Sequence, residues 1–518
     1  MTTVVLGLDG ASFELIEPWI EEGSLPAMAR LVDEGASGDL HSCLPPVTCP
    51  NWQAYATGTN PGKLGVFWWE GVDRENREMT STNTANHFDG THYWRELDDP
   101  AAVVNLPTSY PPGEIDGVHV AGGPGAEQSG YTYPPEFETH LRETYDYRVH
   151  PSRLGELSYE NDDSRCIEEI YELIESRFDV AEELLADGQY ELIHVTIFYL
   201  NVLHHFFWDE DVVKEAWIRI DERIGELLDG EEVERLFVMS DHGSNEIEVS
   251  FRINAWLERH GYLETTSSVS DLLYEFGLTR ERVRPVLASL GIEWFLRRIL
   301  PHRIQNALPD ESGAVTQSAK ASVIDWEASK AVASGQGPVY VLADDPEERE
   351  RIREELIDAL DGLEHEGKPI VRAALPASEV YEGPHVESGP DLVLDQAPGV
   401  HIEGKIGDVD PFGDPETWRA ENKDEGLFVA HGPEIDADAA LNDVEITEIA
   451  PTVLHLHGVP IPDVMDHGPR LGLFADGTEP ADRDVAFTSV DGSPGTASET
   501  PDPEGDVEKR LSDLGYLE

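Results

Sequence analysis

The chain has 518 residues, of which 104 are acidic and 36 are basic, so its formal net charge is −68. A surface of this sign repels nucleic-acid phosphates, which all but excludes binding of a duplex through a basic face. Hydrophobic residues still make up 40% of the chain, enough to build cores, so the acids do not mark a disordered protein. Because molar salt screens self-repulsion of this kind, the composition predicts a halophilic protein from a salt-loaded cytoplasm.

The cysteines and the apolar runs indicate a soluble cytoplasmic protein. The three cysteines, Cys43, Cys49 and Cys166, form no Cys-x-x-Cys pair and cannot build a disulfide framework. The first residues lack the basic stretch of a signal peptide, and no run of apolar residues is long enough to span a membrane. The sequence does not predict the oligomeric state.

Apolar runs of strand length alternate with helical periodicity along the chain. The predicted strands are 4–8, 102–106, 118–121, 192–200, 236–239, 339–342, 392–394 and 427–430. The predicted helices are 25–32, 166–185, 212–228, 347–360 and 446–456. Several of the strands are continuous apolar runs, as buried parallel strands are. The pattern predicts an α/β fold with a doubly wound, mostly parallel sheet flanked by helices.

Changes in composition predict four parts. Residues 1–266 form the first part of the core, and residues 267–321 lose the strand pattern and read as an inserted helical cap. Residues 322–488 continue the core. Residues 489–518 form an acidic flexible tail with one short helix at 507–517.

Polar residues follow several predicted strands, at the carboxyl edge where ligands gather in an open parallel sheet. Asp9 comes directly after the first strand and precedes Gly10. An Asp-Gly step is commonly a turn, and a metal ligand is the alternative. Thr48 lies in a proline-rich loop that leads into a helix, where it is either an ordinary N-cap or a group beside an anion site.

Two further groups follow later strands. Asn201 and His205 share one face of a predicted helix because they are four residues apart, whereas His204 points elsewhere. Asp241 and His242 follow the strand 236–239 together and precede Gly243. A buried strand seldom ends in Asp-His-Gly without something to bind, so this pair is the most specific signal of the four.

The order of these groups, with the sequence around them, resembles the alkaline phosphatase superfamily and within it the type I phosphodiesterase/nucleotide pyrophosphatase branch. The matching runs are Pro-Val-Thr-Cys-Pro-Asn-Trp at 46–52, Thr-Gly-Thr-Asn-Pro-Gly-Lys at 57–63, Asn-Leu-Pro-Thr-Ser-Tyr-Pro-Pro at 105–112, His-Phe-Phe-Trp at 205–208, Ser-Asp-His-Gly at 240–243, Gly-Leu-Phe-Val-Ala-His-Gly-Pro at 426–433 and Ala-Pro-Thr-Val-Leu at 450–454. The resemblance implies an alkaline phosphatase-like core, two divalent ions at the carboxyl edge of the sheet, and a Ser or Thr that attacks phosphorus.

The resemblance also implies the roles of the site residues. Thr48 is the nucleophile, and Asp9, Thr48, Asp241 and His242 hold one metal ion. Two cations about 4 Å apart can hold the attacking and leaving oxygens, and metal coordination makes a threonine hydroxyl nucleophilic at neutral pH. We expect Zn²⁺ or Mn²⁺ and a small anionic phosphate ester as substrate.

The second metal position departs from the family pattern. Asn201 stands where the family has Asp, and Asn422 stands where it has a later His, which leaves His205 as the one intact ligand. Since Asn offers no charge, we expect weak or absent occupancy of this position. His431 or His204 could substitute, but we interpret both as structural.

Substrate recognition departs as well. Leu64-Gly65 replaces the family's His-Gly step, and Trp69 replaces an Asn that binds a phosphate oxygen in nucleotide-cleaving relatives, which argues against nucleotide pyrophosphatase specificity. The candidate substrate-binding residues are Asn60, Lys63 and Trp69, although a core position is the more common role for such a tryptophan. A sulfatase is excluded because the residues after Cys49 do not fit its nucleophile pattern.

The sequence therefore predicts a metal-dependent phosphoric ester hydrolase, most simply a phosphodiesterase that works through Thr48. The alternative is a degenerate family member with one metal ion or none, acting as a ligand-binding or regulatory protein. Asn201 and Asn422 motivate this second hypothesis.

Overall fold

The computed structural model describes residues 2–82, 84–157, 164–208, 210–266, 323–407, 409–416, 418–489 and 504–516. The cap predicted at 267–321 lies outside the described residues. The division of the chain into four parts therefore stays a prediction.

The strands run through all of the described ranges except the last. Their bounds are β1 Thr2–Leu8, β2 Ala36–His41, β3 Glu70–Asp73, β4 Glu78–Ser81, β5 Ala101–Pro107, β6 Gly117–Gly122, β7 Thr132–Tyr133, β8 Leu192–Ile197, β9 Val233–Met239, β10 Gly243–Glu246, β11 Val249–Arg252, β12 Ala331–Ala333, β13 Pro338–Val341, β14 Glu364–His365, β15 Lys368–Pro369, β16 Val371–Pro376, β17 Leu392–Gln396, β18 Val400–Glu403, β19 Phe412–Gly413, β20 Ala420–Lys423, β21 Glu425–His431, β22 Val444–Glu445, β23 Ile461–Pro462 and β24 Phe487–Thr488.

The helices alternate with these strands. Their bounds are α1 Phe13–Glu21, α2 Pro26–Glu34, α3 Thr48–Thr57, α4 Pro61–Leu64, α5 Glu136–Tyr145, α6 Ser164–Asp187, α7 Tyr199–Phe207, α8 Asp211–Asp229, α9 Ile253–Arg259, α10 Pro346–Leu360, α11 Ala377–Val380, α12 Ile449–Leu456, α13 Glu479–Asp482 and α14 Glu504–Asp513. Among the helices of the described residues, none combines the length and the apolar composition that crossing a bilayer requires.

The central sheet has nine strands in the order β22-β2-β21-β9-β1-β8-β5-β6-β7. Strand β1 pairs in parallel with β8 on one side and β9 on the other, and β5 pairs in parallel with β8 and β6. Strand β21 is antiparallel to both β9 and β2. Every residue of β1, β5 and β8 is buried, which is why apolar residues dominate these strands, although β8 also carries His194 and Thr196. The predicted doubly wound, mostly parallel sheet is confirmed.

Helices cover both faces of this sheet, and β1 shows how its side chains divide between them. Val4 and Leu6 pack into the cluster that holds α1, α2, α6 and α8. Val5 points the opposite way and packs with Trp52 of α3 and with α12. Because neighbouring side chains of a strand face opposite sides of the sheet, one strand contributes to two cores.

A second sheet of four antiparallel strands, β12-β13-β17-β16, stands apart from the central one. The strands predicted at 339–342 and 392–394 form here, as β13 and β17, and pair with each other in antiparallel fashion. Helix α10 packs on this sheet through Ile352, Leu356 and Leu360. The apolar runs identified both strands, but runs alone do not show which sheet a strand joins.

The strand predicted at 192–200 ends three residues early, at Ile197, because α7 already begins at Tyr199. The shift places Asn201 inside the first turn of a helix that starts at the edge of the central sheet. The helix predicted at 507–517 is observed as α14, which spans Glu504–Asp513. After it, Leu514 and Tyr516 are buried in the core.

Candidate active site and metal centre

Three adjacent parallel strands end at the same edge of the central sheet. Leu8 at the end of β1 lies opposite Ile197 at the end of β8, and Gly7 lies opposite Met239 at the end of β9. The residues that follow these strands, among them Asp9 and Asp241, therefore meet at one edge. The pairing register of β1, β8 and β9 thus produces the predicted convergence of the residues that follow them.

Thr48 reaches this edge from the other direction, as the first residue of α3. Val47 occupies the N-cap position, and no side chain caps this helix. The Thr48 hydroxyl instead lies 3.3 Å from Oδ1 of Asp9 and 3.1 Å from Nε2 of His242. An ordinary N-cap threonine, the alternative interpretation of the sequence, is therefore not what the structure shows.

Asp9, Asp241 and His242 form a buried group whose ligand atoms all lie within 4.8 Å of one another. Nε2 of His242 lies 3.2 Å from Oδ2 of Asp241 and 3.7 Å from Oδ1 of Asp9. The Thr48 hydroxyl lies beside this group, so four side chains offer oxygen or nitrogen atoms that could coordinate one metal ion.

The protonation of His242 follows from its partners. Its Nδ1 lies 2.9 Å from the carbonyl oxygen of Gly243, which can only accept, so Nδ1 carries the proton and Nε2 presents a lone pair. That lone pair faces Oδ2 of Asp241, which has no hydrogen-bond partner among the described residues. Two acceptors in direct contact repel each other unless a proton or a cation lies between them.

Burial makes the charges of this group costly. It raises the pKa of Asp9 to about 7, although hydrogen bonds from Trp52, Thr48 and Asn201 oppose the shift. Burial and the nearby charge of Asp9 also raise the pKa of Asp241 well above its usual range, and burial lowers the pKa of His242 to about 4. Two carboxylates and a neutral imidazole are a donor set that fits a divalent metal ion. The buried Asp/Asp/His group could therefore bind a metal ion.

Further hydrogen bonds fix the two carboxylates. Trp52 donates from Nε1 to Oδ2 of Asp9 at 2.8 Å, and the amide of Gly10 donates to Oδ1 of Asp241 at 3.3 Å. Such outer partners orient metal ligands. The role of Trp52 was not predicted, although its position four residues after Thr48 on the same helix is a signal that could have revealed it.

Asn201 and His205 lie together on α7, as predicted, and their contact is specific. Nδ1 of His205 donates to the carbonyl oxygen of Ala420 at 2.8 Å, so its Nε2 is an acceptor. Nδ2 of Asn201 lies 3.2 Å from this Nε2 and donates to it. The amide thus occupies the lone pair with which His205 would bind a metal.

Asn422 lies on β20 opposite Ser244 of β10, and Ser244 in turn approaches Oδ1 of Asn201 at 3.3 Å. Asn422 is fully buried, and neither atom of its side-chain amide has a hydrogen-bond partner among the described residues. The residues predicted for the second metal position are therefore gathered in one region but carry no carboxylate.

A family model matches residues 3–434 of the chain and is described as type I phosphodiesterase/nucleotide pyrophosphatase. The chain belongs to the type I phosphodiesterase/nucleotide pyrophosphatase family. Membership of this family indicates a phosphoester hydrolase.

Solved structures share the fold of this family member at low sequence identity. Phosphonoacetate hydrolase from Sinorhizobium meliloti 1021, in complex with phosphonoformate, is 14% identical with a TM-score of 0.54, over 87% of this chain and 94% of that one. Alkaline phosphatase PafA is 12% identical with a TM-score of 0.51, over 92% and 99%. Murine ectonucleotide pyrophosphatase/phosphodiesterase 5 is 12% identical with a TM-score of 0.49, over 92% and 100%. No curated protein has a sequence that matches the chain.

Two further histidines, His204 and His431, could replace a missing ligand of the type I phosphodiesterase pattern. Nε2 of His204 accepts a hydrogen bond from the indole of Trp217 at 3.2 Å, so this ring faces the helix α8. His431, the last residue of β21, pairs with Leu236 in the middle of β9, five residues before Asp241. The interpretation of both as structural stays a prediction.

The candidate substrate-binding residues divide into two places. Asn60 donates from Nδ2 to Asp466 at 3.0 Å, and Lys63 forms an ion pair with Asp466 at 2.5 Å. Both therefore contact the loop before α13, and none of the described contacts joins them to Thr48. Trp69 is buried in the same core cluster as Val4 and Leu6 of β1, and its ring packs against Tyr516. The substrate-binding role of all three stays a prediction.

Two aromatic residues of the site were not predicted. Trp418 stacks on the ring of His205 with centroids 3.7 Å apart and planes 6° apart, and Tyr516 meets the same ring edge-on at 5.8 Å. Neither belongs to a run that resembles the type I phosphodiesterase family, and no spacing connects them to His205 in the sequence. Only the folded chain shows that they border the site.

Proposed function

We propose that this protein is a metal-dependent phosphodiesterase whose nucleophile is Thr48. The observation that carries the proposal is the convergence of the Thr48 hydroxyl with Asp9 and His242, at 3.3 and 3.1 Å, on one point beside Asp241. A threonine at the start of a helix needs no such neighbours for structure. A group that must lose its proton and then attack phosphorus needs both.

In the proposed reaction, Oγ1 of Thr48 attacks phosphorus, and the bond from phosphorus to the leaving alcohol breaks. The Thr48 proton has two acceptors within reach, Oδ1 of Asp9 and Nε2 of His242. Water then attacks the phosphothreonine ester, which releases the phosphate monoester and restores the hydroxyl. When bound, a divalent cation supplies charge that stabilises the ionised hydroxyl and polarises a phosphoryl oxygen.

The chain itself favours an anion at this place. Thr48 begins a helix of ten residues, so the positive end of the α3 dipole lies at the attacking oxygen. Trp52 holds the Asp9 carboxylate so that its other oxygen faces Thr48. Both features orient groups before the substrate arrives, which is where catalytic electrostatics are most effective.

We propose one strong cation site, formed by Asp9, Thr48, Asp241 and His242, and a weak second position at Asn201, His205 and Asn422. Mixed oxygen and imidazole donors suit Zn²⁺ or Mn²⁺. The hydrogen bond from Asn201 to His205 supports the weakness of the second position, because a metal ion there must first displace it. The substrate is a small anionic phosphate ester.

The proposal includes a cytoplasmic, salt-loaded setting. Cys43, Cys49 and Cys166 are all free, which agrees with a reducing compartment. The net charge of −68 repels an anionic substrate in dilute buffer, and molar salt screens that repulsion.

The test is hydrolysis of bis-p-nitrophenyl phosphate in molar KCl with Mn²⁺ or Zn²⁺. Thr48→Ala should lower kcat/KM by about a thousandfold or more, as loss of a nucleophile does in other hydrolases. Thr57→Ala is the matched control: Thr57 is buried in the same helix and donates to Gln53 rather than facing the site. Folded Thr48→Ala protein with wild-type activity would exclude this nucleophile.

A second function, a ligand-binding or regulatory protein with an incomplete metal site, is favoured by one observation. The Asn201 amide satisfies His205 internally, so that half of the site is stable without metal. The measurement that separates the two is metal content together with hydrolysis. Close to two ions per chain at full occupancy would count against the regulatory function, whereas absent hydrolysis with every metal in folded protein would favour it.

A further inference from the structure

The C-terminal segment, residues 504–516, is anchored on the core beside the site. Arg510 of α14 donates from Nε to the carbonyl oxygen of Pro124 at 2.8 Å and pairs with Glu127 at 2.9 Å. Leu511 and Leu514 are buried in the same core cluster as the central strands. The segment is thus held by an ion pair and by apolar contacts, not by chain connection alone.

The residues after α14 turn into the site. Trp418 donates from Nε1 to the carbonyl oxygen of Leu514 at 3.0 Å. Gly515 has a φ of +83°, and a Cβ there would lie 2.4 Å from that same indole nitrogen, so the turn requires glycine. This tight passage under Trp418 directs the next side chain, Tyr516, inward.

The Tyr516 ring fills the space over the site residues. It meets His205 and Trp418 edge-on, at 5.8 and 5.2 Å between centroids, and packs at a tilt on Trp69 at 5.2 Å. Tyrosine usually finds a hydrogen bond when buried. Tyr516 is only 4% exposed, and its hydroxyl makes no hydrogen bond of normal geometry among the described residues.

That hydroxyl lies near Thr48 and Asn201. It is close enough to Thr48 and Asn201 for both side chains to favour its ionised form, while burial and the charges of Asp9 and Asp241 oppose this and hold the pKa of Tyr516 well above its usual value. The hydroxyl thus lies beside Thr48 and Asn201, although it makes no hydrogen bond of normal geometry with either.

Thr48 and its neighbours are buried. Thr48 and Asp9 are 0% exposed and Asp241 is 1% exposed. A phosphate ester must bring its phosphorus into contact with Oγ1 of Thr48, so groups that bury this oxygen must first move, and Tyr516 is one of the groups beside the site.

We propose that the C-terminal segment is an intramolecular inhibitor of this site, in which Tyr516 occupies the space that a phosphate ester must enter. Its catalytic consequence rests on the proposed function. Substrate binding then requires withdrawal of the segment, so the apparent affinity is reduced by the fraction of molecules in which it has withdrawn. The alternative is that Tyr516 serves the reaction through its hydroxyl, and the variant Tyr516→Phe distinguishes the two roles.

The first experiment measures binding of inorganic phosphate to full-length, Mn²⁺-loaded protein by calorimetry. Tyr516→Ala should bind phosphate about tenfold more tightly than wild type, because a competing group has been removed. Tyr131→Ala is the matched control: Tyr131 is also buried with an unpartnered hydroxyl, but packs on Tyr147. Tyr516→Phe should bind phosphate as wild type does, since the ring still fills the space. Phosphate binding to Tyr516→Ala that is no tighter than wild type would overturn the proposal.

The second experiment locks the segment. A Cβ at Gly155 would lie 3.0 Å from Cγ of Asp513, so cysteines at both positions can reach the ~3.8 Å between Cβ atoms of a disulfide. The Gly155→Cys/Asp513→Cys protein should lose at least tenfold in hydrolysis of bis-p-nitrophenyl phosphate when oxidised and regain it with reductant. The single variant Gly155→Cys, treated in the same way, should not change.

The outcomes separate this proposal from the proposed function. Oxidised protein that hydrolyses as fast as reduced protein shows that the segment need not withdraw, and overturns the inhibitor while leaving the phosphodiesterase intact. No hydrolysis in any form, Tyr516→Ala included, overturns the phosphodiesterase. Phosphate calorimetry then still decides whether Tyr516 excludes an anion. A loss of kcat in Tyr516→Phe with unchanged phosphate binding would instead assign the hydroxyl to the reaction.

Discussion

Trp52 donates a hydrogen bond of 2.8 Å from its indole Nε1 to Oδ2 of Asp9. The same ring lies against β1, where a Cβ at Gly7 would be 2.4 Å from its Cη2 atom. Trp52 is thus wedged between the strand that carries Asp9 and the helix that carries Thr48. The bond holds the carboxylate so that Oδ1 faces the threonine hydroxyl.

Trp52→Phe should weaken metal binding by about tenfold or more, because loss of an outer partner of a ligand typically costs 10–100-fold in affinity. Titration calorimetry with Mn²⁺ gives the affinity. Trp217→Phe is the matched control, since it also removes one buried indole bond, in this case to His204. Equal affinities in both variants and wild type would mean that Trp52 serves packing alone.

Asn201→Asp should create a second functional cation position. The carboxylate replaces the amide that now donates to Nε2 of His205, so the imidazole lone pair and a negative charge both become available. We expect bound metal to rise from about one ion per chain toward two, measured by elemental analysis after gel filtration. Asn201→Ala frees His205 without adding charge and should remain near one ion, which makes it the control.

Metal binding should strengthen as the pH rises from 6 to 8. Burial raises the pKa of Asp9 to about 7 and that of Asp241 higher than its usual range, so the metal-free group holds protons at pH 6 that a cation must displace. Below about pH 7 each binding event releases a proton, and affinity falls with falling pH. Calorimetry in buffers of different ionisation enthalpy counts the protons. Asp466→Asn, which alters a carboxylate outside the group, should leave the dependence unchanged.

The protein should gain stability from salt. At a net charge of −68, repulsion among surface carboxylates opposes the compact state, and the screening length shrinks to about 3 Å at 1 M salt. We expect Tm to rise by several degrees between dilute buffer and molar KCl. Sucrose, which stabilises without screening, serves as the control. A Tm that responds to sucrose but not to KCl would contradict the electrostatic origin.

The sequence is informative where chemistry and local pattern coincide. Asp9 and Asp241 each follow an apolar run, and because parallel strands end at one edge, their convergence could be predicted before the structure was known. The sheet partners of 339–342 and 392–394 could not, since an apolar run is equally compatible with either sheet. The early start of α7 at Tyr199 escaped prediction because the run Ile-Phe-Tyr-Leu at 197–200 contains no charged residue, Gly or Pro to mark where the strand ends.

The contacts of long side chains were the least predictable. Lys63 is a candidate substrate-binding residue in the sequence, and its pairing with Asp466, which lies far along the chain, could not be predicted. Trp418 and Tyr516 meet His205 through tertiary packing alone. Such contacts depend on how loops close over the sheet edge, and neither periodicity nor residue type encodes that.

The position of Tyr516 in the chain bears on how the protein acquires its metal. Asp9, Thr48, Asp241 and His242 all precede it, and chains fold from the N-terminal side while they are being synthesised. The four ligand residues can therefore assemble on the ribosome before Tyr516, which packs beside the site, has been synthesised. A nascent chain offers a cation open access during that interval, whereas in the complete chain the ion exchanges only when the C-terminal segment withdraws. In protein made in metal-rich medium, the bound ion should therefore exchange more slowly than complete, metal-free protein takes up an ion.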